Sequence, residues 1–568
     1  MNVPRTLRPA IQQKGSVLVI SLLVLTVLSL LALAILGMSL TEGNISTNWR
    51  NQTQAFYAAE AGAESGVSSL RTLLGGTPSP TDAQLSAIVS PALSDPKYSF
   101  ASFQVQRVRP TPYQTKIDHG SYQGLTGFST DYQIAAQASG PRGTRAGVTQ
   151  VLQYMQVPLF QFGVFYGKGV DLEMAPGQAM TFNGRVHANS SIYLRNDAAA
   201  GSMKFNSYMT TAGTINRYIK RDGSSVHNDN PMIADQSGTF HAMNFDHSTG
   251  LDFGGSWSEN SWKSTALSTF QGMVQDKSMG VQEITPPIPD LFNNPSNPDQ
   301  IAHQLIEKSK PSDSPALSAA KLYNQAGLRI VNGVATDKNG NTVTLPAGVI
   351  STKNFYDKRE GATITVTEVN IAALRTSGVS PSNGILYVTN DSTNNSVRLV
   401  NGSQLPTSTD GGFTVVSEKP VYIQGDYNTT NKVAAAVMAD AVTILSNNWQ
   451  TNNSDAKGDQ TTSNRPASAT SVNAAFALGP SVESTTGQGN GQLENVIRFL
   501  EDWGSTRTFT YSGSLVSLWH SQHAQGTWGG GYYNPPRRVW SYDTLFNNQQ
   551  PPGAPRGIFI TKGRWSQL

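Results

Sequence analysis

The sequence contains no cysteine. Disulfides, thiol nucleophiles and thiolate metal sites are therefore excluded, and a body of this size has to hold together by its apolar core alone. Charge is nearly as scarce. Charged residues make up 14% of the 568 positions, and 41 Lys+Arg against 38 Asp+Glu leave a formal net charge of +3. That balance makes no electrostatic case for nucleic acid as a partner, which would need a clustered basic surface. Catalytic signatures are missing as well: there is no HExxH, no GxSxG, no Walker loop and no GxGxxG behind a strand. No catalytic residue, metal site or cofactor is expected. The Glu, Lys and Leu that build helical domains are thin, while Gly reaches 52 residues and Ser, Thr and Asn are plentiful. This is the composition of an all-β body with many turns, in a chain too long for one ordinary domain.

Against that background one stretch stands apart, "KGSVLVISLLVLTVLSLLALAILGMSL" from Lys14 to Leu40. Between Val17 and Leu40 only Ser21, Thr26, Ser29 and Ser39 are polar. About 20 such residues in a helix reach roughly 30 Å, the thickness of a hydrocarbon core. Arg5, Arg8 and Lys14 precede the run and Glu42 is the first charge after it. A single pass with its N-terminus in the cytoplasm is expected, with the bulk of the chain outside. A secretory signal peptide has a shorter apolar region and a small-x-small cleavage site, and neither is present. A plain signal-anchor fits the run itself. It leaves the residues beyond the run unexplained, because Ile45, Trp49, Phe56, Ala63, Val67, Leu70 and Leu74 continue an amphipathic stripe at helical spacing. Gly75-Gly76 and then Pro78 and Pro80 end the pattern. One helix from Ser16 to Leu74 is expected, roughly 55–60 residues and about 85 Å long.

Lys14-Gly15 followed by Ser16 and an apolar helix resembles the class III signal of type IV pilins and pseudopilins. "NWRNQTQAFYAAEAGAESGVSSL" from Asn48 to Leu70 is similar to the N-terminal region of PilX-like minor pilins, where an AF-x-AAEAG sequence follows the span at the same distance. The resemblance implies cutting by prepilin peptidase at Lys14, Gly15 and Ser16, methylation of the new terminus, and retention of the helix. In that reading Val17, Leu18, Val19, Ile20, Leu22, Leu23, Leu25, Leu28, Leu31, Leu33, Ile35 and Leu36 enter the inner membrane and later the filament core. Ile45, Trp49, Phe56, Tyr57, Glu60, Val67 and Leu70 line the subunit stripe, with Glu60 and Glu64 expected on a solvated helix face. Implied partners are other pilins and minor pilins, the peptidase and the pilus assembly machinery, with a surface ligand or tip adhesin at the far end. The filament is either a type IV pilus or a type II secretion pseudopilus. Major pilins carry Glu at the fifth mature position, where this chain has Ile20. That departure resembles the K-type pseudopilin and many PilX-like subunits at or near a tip. An apolar residue there also avoids an unpaired carboxylate in lipid. Loss of Arg5, Arg8 and Lys14 would leave the mature side chains balanced, 38 against 38.

The expected fold is α+β, mainly β: a long pilin-type N-terminal helix, a small antiparallel sheet, and a large β-rich body with short helical insertions. The chain divides as 1–15 leader, 16–76 helix, 77–157 linker and sheet, 158–290 first β-rich part, 291–378 helical insertion with a hairpin, 379–490 second β-rich part, and 491–568 aromatic-rich C-terminal cap. Alternating patterns at Tyr98–Val108, Thr130–Gly140 and Thr144–Val157 give the sheet, with Pro141-Arg142-Gly143 as a hairpin turn and Val148, Leu152 and Tyr154 on one face. Short strands are expected at Leu172–Met174, Met180–Phe182, Val186–Ala188 and Ile192–Leu194. Such texture suits a parallel β-solenoid or a sandwich. The apolar runs Val433–Met438 and Val442–Leu445 favour the solenoid, since they read as strands buried on both faces. Asn297-Pro298 and Ser314-Pro315 signal helix starts, Gly327 a stop, and Thr367–Gly378 a third short helix. Asp337–Asn341 reads as a hairpin turn rather than a calcium loop.

Candidate chemistry in the body is thin. His520 and His523 lack a third ligand, and His241, Asp246 and His247 are no better placed. Glu501-Asp502 could mimic a glycosidase pair, but adjacent carboxylates at a helix end are usually exposed. Trp528, Tyr532 and Tyr533 on a Gly-rich loop suit either a sugar- or partner-binding surface or a cap over the end of the β-core. The expected function is a non-enzymatic minor pilin-like subunit, with the chain in the inner membrane before assembly and on an extracellular filament after it. The alternative is a membrane-anchored β-helical protein that binds or degrades polysaccharide.

Overall fold

Ser16 to Gly76 form one uninterrupted helix, α1, of 61 residues in the computed structural model. Described are residues 16–196, 202–220, 230–243, 245–246, 251–252, 255–256, 259–292, 295–409, 411–482, 492–526, 528–529 and 531–568. No proline falls inside α1. The helix stops where Thr77 N donates back to Leu73 O at 2.7 Å and Pro78 comes next, since proline cannot extend the ladder.

The second half of α1 lies on an antiparallel sheet. Its strands are β1 (Ser99–Arg107), β2 (Tyr113–Lys116), β3 (Thr126–Ser139) and β4 (Arg145–Pro158). β3 pairs with β1, β2 and β4, and the β3–β4 turn places Arg142 and Gly143 in left-handed backbone at φ 61° and 74°. Ala59, Ala63, Val67, Leu70 and Leu74 pack on Val148, Leu152 and Tyr154, as the alternation requires. The seam is close. A Cβ added at Gly62 would stand 2.4 Å from Phe100 and one at Gly66 would stand 2.7 Å from Ile134. The small residues of the Ala-Gly stretch let helix and sheet approach at a distance side chains would prevent.

The C-terminus departs from the expected domain plan. Arg556–Gln567 does not stay with the aromatic tract that precedes it but pairs antiparallel with β4, from Arg556↔Pro158 to Gln567↔Val148. Its side chains reach α1: Lys562 Nζ is 2.6 Å from Glu64, and Trp565 meets Phe56 edge-on at 6.2 Å. Everything between Pro158 and Arg556 is thus an insertion between two neighbouring strands of the sheet.

In the body, short strands recur in order: β5 (Val164–Tyr166), β6 (Leu172–Met174), β7 (Met180–Phe182), β8 (Val186–Ala188), β9 (Ile192–Leu194), β10 (Met203–Phe205), β11 (Met209–Thr211), β12 (Ile215–Asn216) and β13 (Met232–Ala234). Every third strand pairs in parallel. Val164, Val186 and Met209 align, as do Leu172, Ile192 and Ile215. Each turn, 20 to 23 residues long in these two rows, therefore adds one strand to each of three sheets, with Leu, Ile, Val and Met pointing into a common core.

The second half of the chain stacks on the other side of β5. Leu328–Val331, Ile385–Thr389, Gly412–Ser417, Ala434–Ala439, Ala475–Ala477 and Leu515–Ser517 follow one another in parallel, and Leu515–Ser517 then pairs with β5. The chain starts winding in the middle of the stack, runs outward to Val274–Gln275, crosses back through short helices and returns from the far end. Ala434–Ala439 and Val442–Leu445 are buried throughout, as their composition predicted.

Three local expectations change. The helix from Pro315, capped by Ser314 Oγ accepting from Leu317 N, breaks at Lys321 and resumes over Leu322–Gln325, before Gly327. Thr367–Asn370 ends a strand, so the third helix is only Ile371–Thr376. Asp337–Asn341 does turn, but its own carboxylate closes it by accepting from Asn339 N and Asn341 N at 2.8 and 2.9 Å. The two-residue left-handed hairpin turn is Asn332-Gly333, at φ 52° and 80°.

The glycine seam gives a direct test. Gly66→Val places methyl groups against Ile134 and Phe103, and overpacking of this kind costs about 1–3 kcal/mol. Denaturant unfolding of the detergent-solubilised chain is expected to show that loss. Gly43→Val, where the added Cβ meets nothing within 4 Å, is the control and should leave the midpoint nearly unchanged.

Candidate functional site

The first half of α1 packs on nothing else among the described residues. Every side chain from Ser16 to Ser46 is exposed, Ile20 at 61% and Ile45 at 58%. In water such a surface would be strongly unfavourable. The segment is long and apolar enough to cross a membrane. Two of its hydroxyls are satisfied within the helix: Ser21 donates to Leu18 O at 2.9 Å and Thr26 to Leu22 O at 2.7 Å. With those bonds made inside the helix, polar side chains are tolerable in hydrocarbon.

A polar collar marks where the free half begins. Arg142 donates to Asn44 Oδ1 at 3.2 Å, Gln52 to Arg145 O at 2.9 Å, and Tyr98 to Gln54 Oε1 at 2.6 Å. Beyond it the expected subunit stripe splits in two. Val67 and Leu70 are buried against the chain's own sheet, so they are not available to a neighbour. Phe56 and Glu60 are half-buried, and Tyr57 is 60% exposed. Trp49 is 76% exposed and, with Ile45, continues the stripe past the top of the sheet. Glu64 is not simply solvated, since it pairs with Lys562. Lys14 and Gly15 lie outside the described residues, and Ser16 opens α1.

In the body, the sequence candidates separate. His520 is bonded to Asp299 at 3.0 Å, while His523 gives its backbone N–H to Asp440, so the two do not converge. His241 pairs with Asp235 at 3.0 Å; His247 lies outside the described residues. Among the described residues no group of three His, Asp or Glu is placed to hold a metal ion. Trp503 and Trp519 are fully buried. The aromatic tract is no cap over an end of the stack, because Leu515–Ser517 hydrogen-bonds between Ala475–Ala477 and β5 in its middle. Trp528 and Tyr533 line one groove, with Trp528 Nε1 donating to Tyr533 OH at 3.0 Å; Tyr532 lies outside it.

Glu501 and Asp502 are not an exposed pair at a helix end. Glu501 is fully buried beyond strand Ile497–Phe499 and accepts from Ser446 N and Oγ at 2.6 and 2.7 Å. Burial pushes its carboxyl up to about 7, against the lowering effect of the Ser446 bonds and the Arg465 charge. One buried cluster carries no signal in the sequence. His303 lies between Asp440 at 3.2 Å and Glu307 at 3.0 Å, and Ser521 also donates to Asp440. Burial opposes its charge, but the two carboxylates outweigh that and hold the imidazole above its usual 6.5. His303 and Asp440 stand 137 residues apart in sequence, so no spacing links them.

Residues 14–64 match the family model for the PilX N-terminal region. The match is confined to this N-terminal segment, which is similar to that of PilX-like minor pilins. No curated protein matches the chain. Among solved structures, the competence-associated pilin ComZ from Thermus thermophilus aligns at 10% identity over 91% of this chain and 97% of that one, with a TM-score of 0.29.

Glu501 makes stability depend on pH. Its proton is held more tightly in the folded chain than in the unfolded one, so stability falls as pH rises from 4.5 to about 7. The loss is on the order of 3 kcal/mol. His303 adds a loss of the same sign above 6.5, since its stabilisation is complete below that value and disappears through its raised folded value. Glu501→Gln should flatten the lower part of the profile in thermal melts across pH; an unchanged slope would assign it elsewhere.

Proposed function

We propose that the chain is a minor pilin-like structural subunit of a type IV pilus or related filament, sited at or near the tip and acting in assembly, priming or adhesion rather than catalysis. The observation that carries this reading is the division of α1. One half is fastened to its own sheet by a glycine seam and a polar collar. The other half is wholly exposed and apolar. A plain anchor needs only the second half. A helix that leaves the membrane to pack among like helices needs both, one to hold the folded part and one to give away.

Two further features support a tip position. Ile20 puts no carboxylate where a shaft subunit carries one, so no buried negative charge awaits the terminus of a neighbour. The body between Pro158 and Arg556 also far exceeds the sheet that bears it, which favours a place where copies do not surround it. In this reading the chain waits in the inner membrane with its N-terminus in the cytoplasm and then moves to an extracellular filament, in contact with other pilins, prepilin peptidase and the assembly machinery.

Mapping the N-terminus of the protein isolated from cells tests the reading. A mature chain starting at Ser16 is expected, and Gly15→Ala should leave the uncut precursor in the inner membrane. A protein that keeps Met1, or one that starts beyond Met38, would sink the proposal.

A further inference from the structure

The folded part begins very close to the end of the apolar half of α1. The apolar run ends at Leu40, and Arg142 at the tip of the β3–β4 turn bonds to Asn44. In helix the step from Leu40 to Asn44 rises about 6 Å. A hydrocarbon core is about 30 Å thick and the headgroups bring a bilayer to about 40–45 Å, so each headgroup layer is about 5–8 Å deep. With Leu40 at the edge of the hydrocarbon, the turn stands level with the headgroups. The run from Val17 to Leu40 extends about 36 Å as helix, longer than the core. Tilting takes up a surplus of this kind, and a tilt toward the sheet brings the turn lower still. Gln52 bonded to Arg145 O and Tyr98 bonded to Gln54 fasten the turn and α1 together, so the two lean as one piece.

The groups at this end suit that depth. Arg142 and Arg145 are exposed on the turn, and Arg50 is exposed on α1. Arg142 gives one N–H to Asn44, a neutral amide, and no carboxylate pairs with any of the three among the described residues. Glu42 is the only acidic residue on α1 from Thr41 to Phe56, and the stretch from Ser139 to Ala146 has none. Three guanidiniums therefore stand against one carboxylate. Guanidinium is shaped to take a phosphate in two bonds. Trp49 is widely exposed between Asn44 and Gln52 and belongs to no buried cluster. An indole is at home where hydrocarbon meets water.

We propose that the β3–β4 turn docks on the headgroup layer of the leaflet facing the body, with Arg142 and Arg145 holding phosphates of anionic phospholipid. The folded part then leans on the membrane instead of standing clear of it on its helix. The height of the turn above the span selects a lipid phosphate over a free one. The proposal rests on the apolar half being a membrane span and adds a second, polar attachment beside it. A chain leaving the membrane has to break this contact as well as withdraw the helix.

The cysteine-free chain allows single labels to be placed for a test. One nitroxide sits at Pro141→Cys, a position that bonds only through its carbonyl, and another at Leu28→Cys in the middle of the run. Each full chain is reconstituted in nanodiscs of phosphatidylcholine, alone or in a two-to-one mixture with phosphatidylglycerol. A nickel-chelating lipid relaxes labels at headgroup depth. Relaxation of the turn label is expected to rise about twofold or more with phosphatidylglycerol and to fall back in about 0.5 M salt. Arg142→Gln with Arg145→Gln should lose most of that rise, while Arg142→Lys with Arg145→Lys, which keep the charge, should retain most of it. The lipid and salt dependence of the parent chain needs no variant. A turn label indifferent to phosphatidylglycerol, or a rise that survives in the Gln pair, overturns the proposal. If the Leu28 label is then still shielded from nickel and open to oxygen, the membrane span stands without the docking. A Leu28 label outside the hydrocarbon overturns both.

Discussion

The ladder between β4 and the C-terminal strand organises the molecule. Its first rung joins Pro158, where the chain leaves the sheet, to Arg556, where it returns. Because the two ends of the body are fixed side by side, the body is a closed excursion and not a tail. The same strand supplies Lys562 to Glu64 and Trp565 to Phe56, so it also braces α1 against the sheet. The ion pair is exposed on both sides and contributes little by itself. The packed ring and the shared backbone ladder matter more. Without the last strand, β4 would be an edge with Leu152 and Tyr154 poorly covered, and the face that holds the helix would open.

Much of α1 was legible because its signals are local. The lack of charge, the stripe from Ala63 to Leu74 and the Gly75-Gly76-Thr77-Pro78 stop lie within one helix, and the helix runs as read. Short strands such as Leu172–Met174 and Ile192–Leu194 were legible for the same reason, since turn residues bracket them. The pairing of residues 148–158 with residues 556–567 was not, because nothing in an alternating pattern says which distant strand it will meet. Spacing also misjudged the stripe. Ile45 and Trp49 share periodicity with Val67 and Leu70, yet the sheet ends below them, and a helical pattern carries no information about where the opposing surface stops.

The groove beside Trp528 shows the same limit from the other side. Trp528 and Tyr533 are close in sequence and were legible as an aromatic loop. Gly177 and Arg195, which complete the groove, come from turns wound more than three hundred residues earlier. They meet because Leu515–Ser517 docks on β5, the point at which the chain began to wind. Both halves of the stack contribute to the groove only because the winding starts from the middle. The outermost strands are covered differently: the hairpin of Leu328–Val331 with Val334–Asp337 closes one end antiparallel, and β13 meets Phe240–Ala242 antiparallel on the other side. Such reversals end parallel stacking and protect the edges from further pairing.

The twin attachment of the body fixes how it carries tension. A pull on the body while α1 is held draws on Pro158 and Arg556 together, and in the same direction. The two strands then move as a pair, so the rungs between them are spared. The load passes to the long register of β3 with β4, twelve paired positions from Phe128↔Gln156 to Ser139↔Arg145. The pull lies along that register, so its rungs are strained at once in shear and are not opened one by one. A body hung from a single strand at the sheet's edge would peel. Hung from two neighbours, it is a mount that resists pulling.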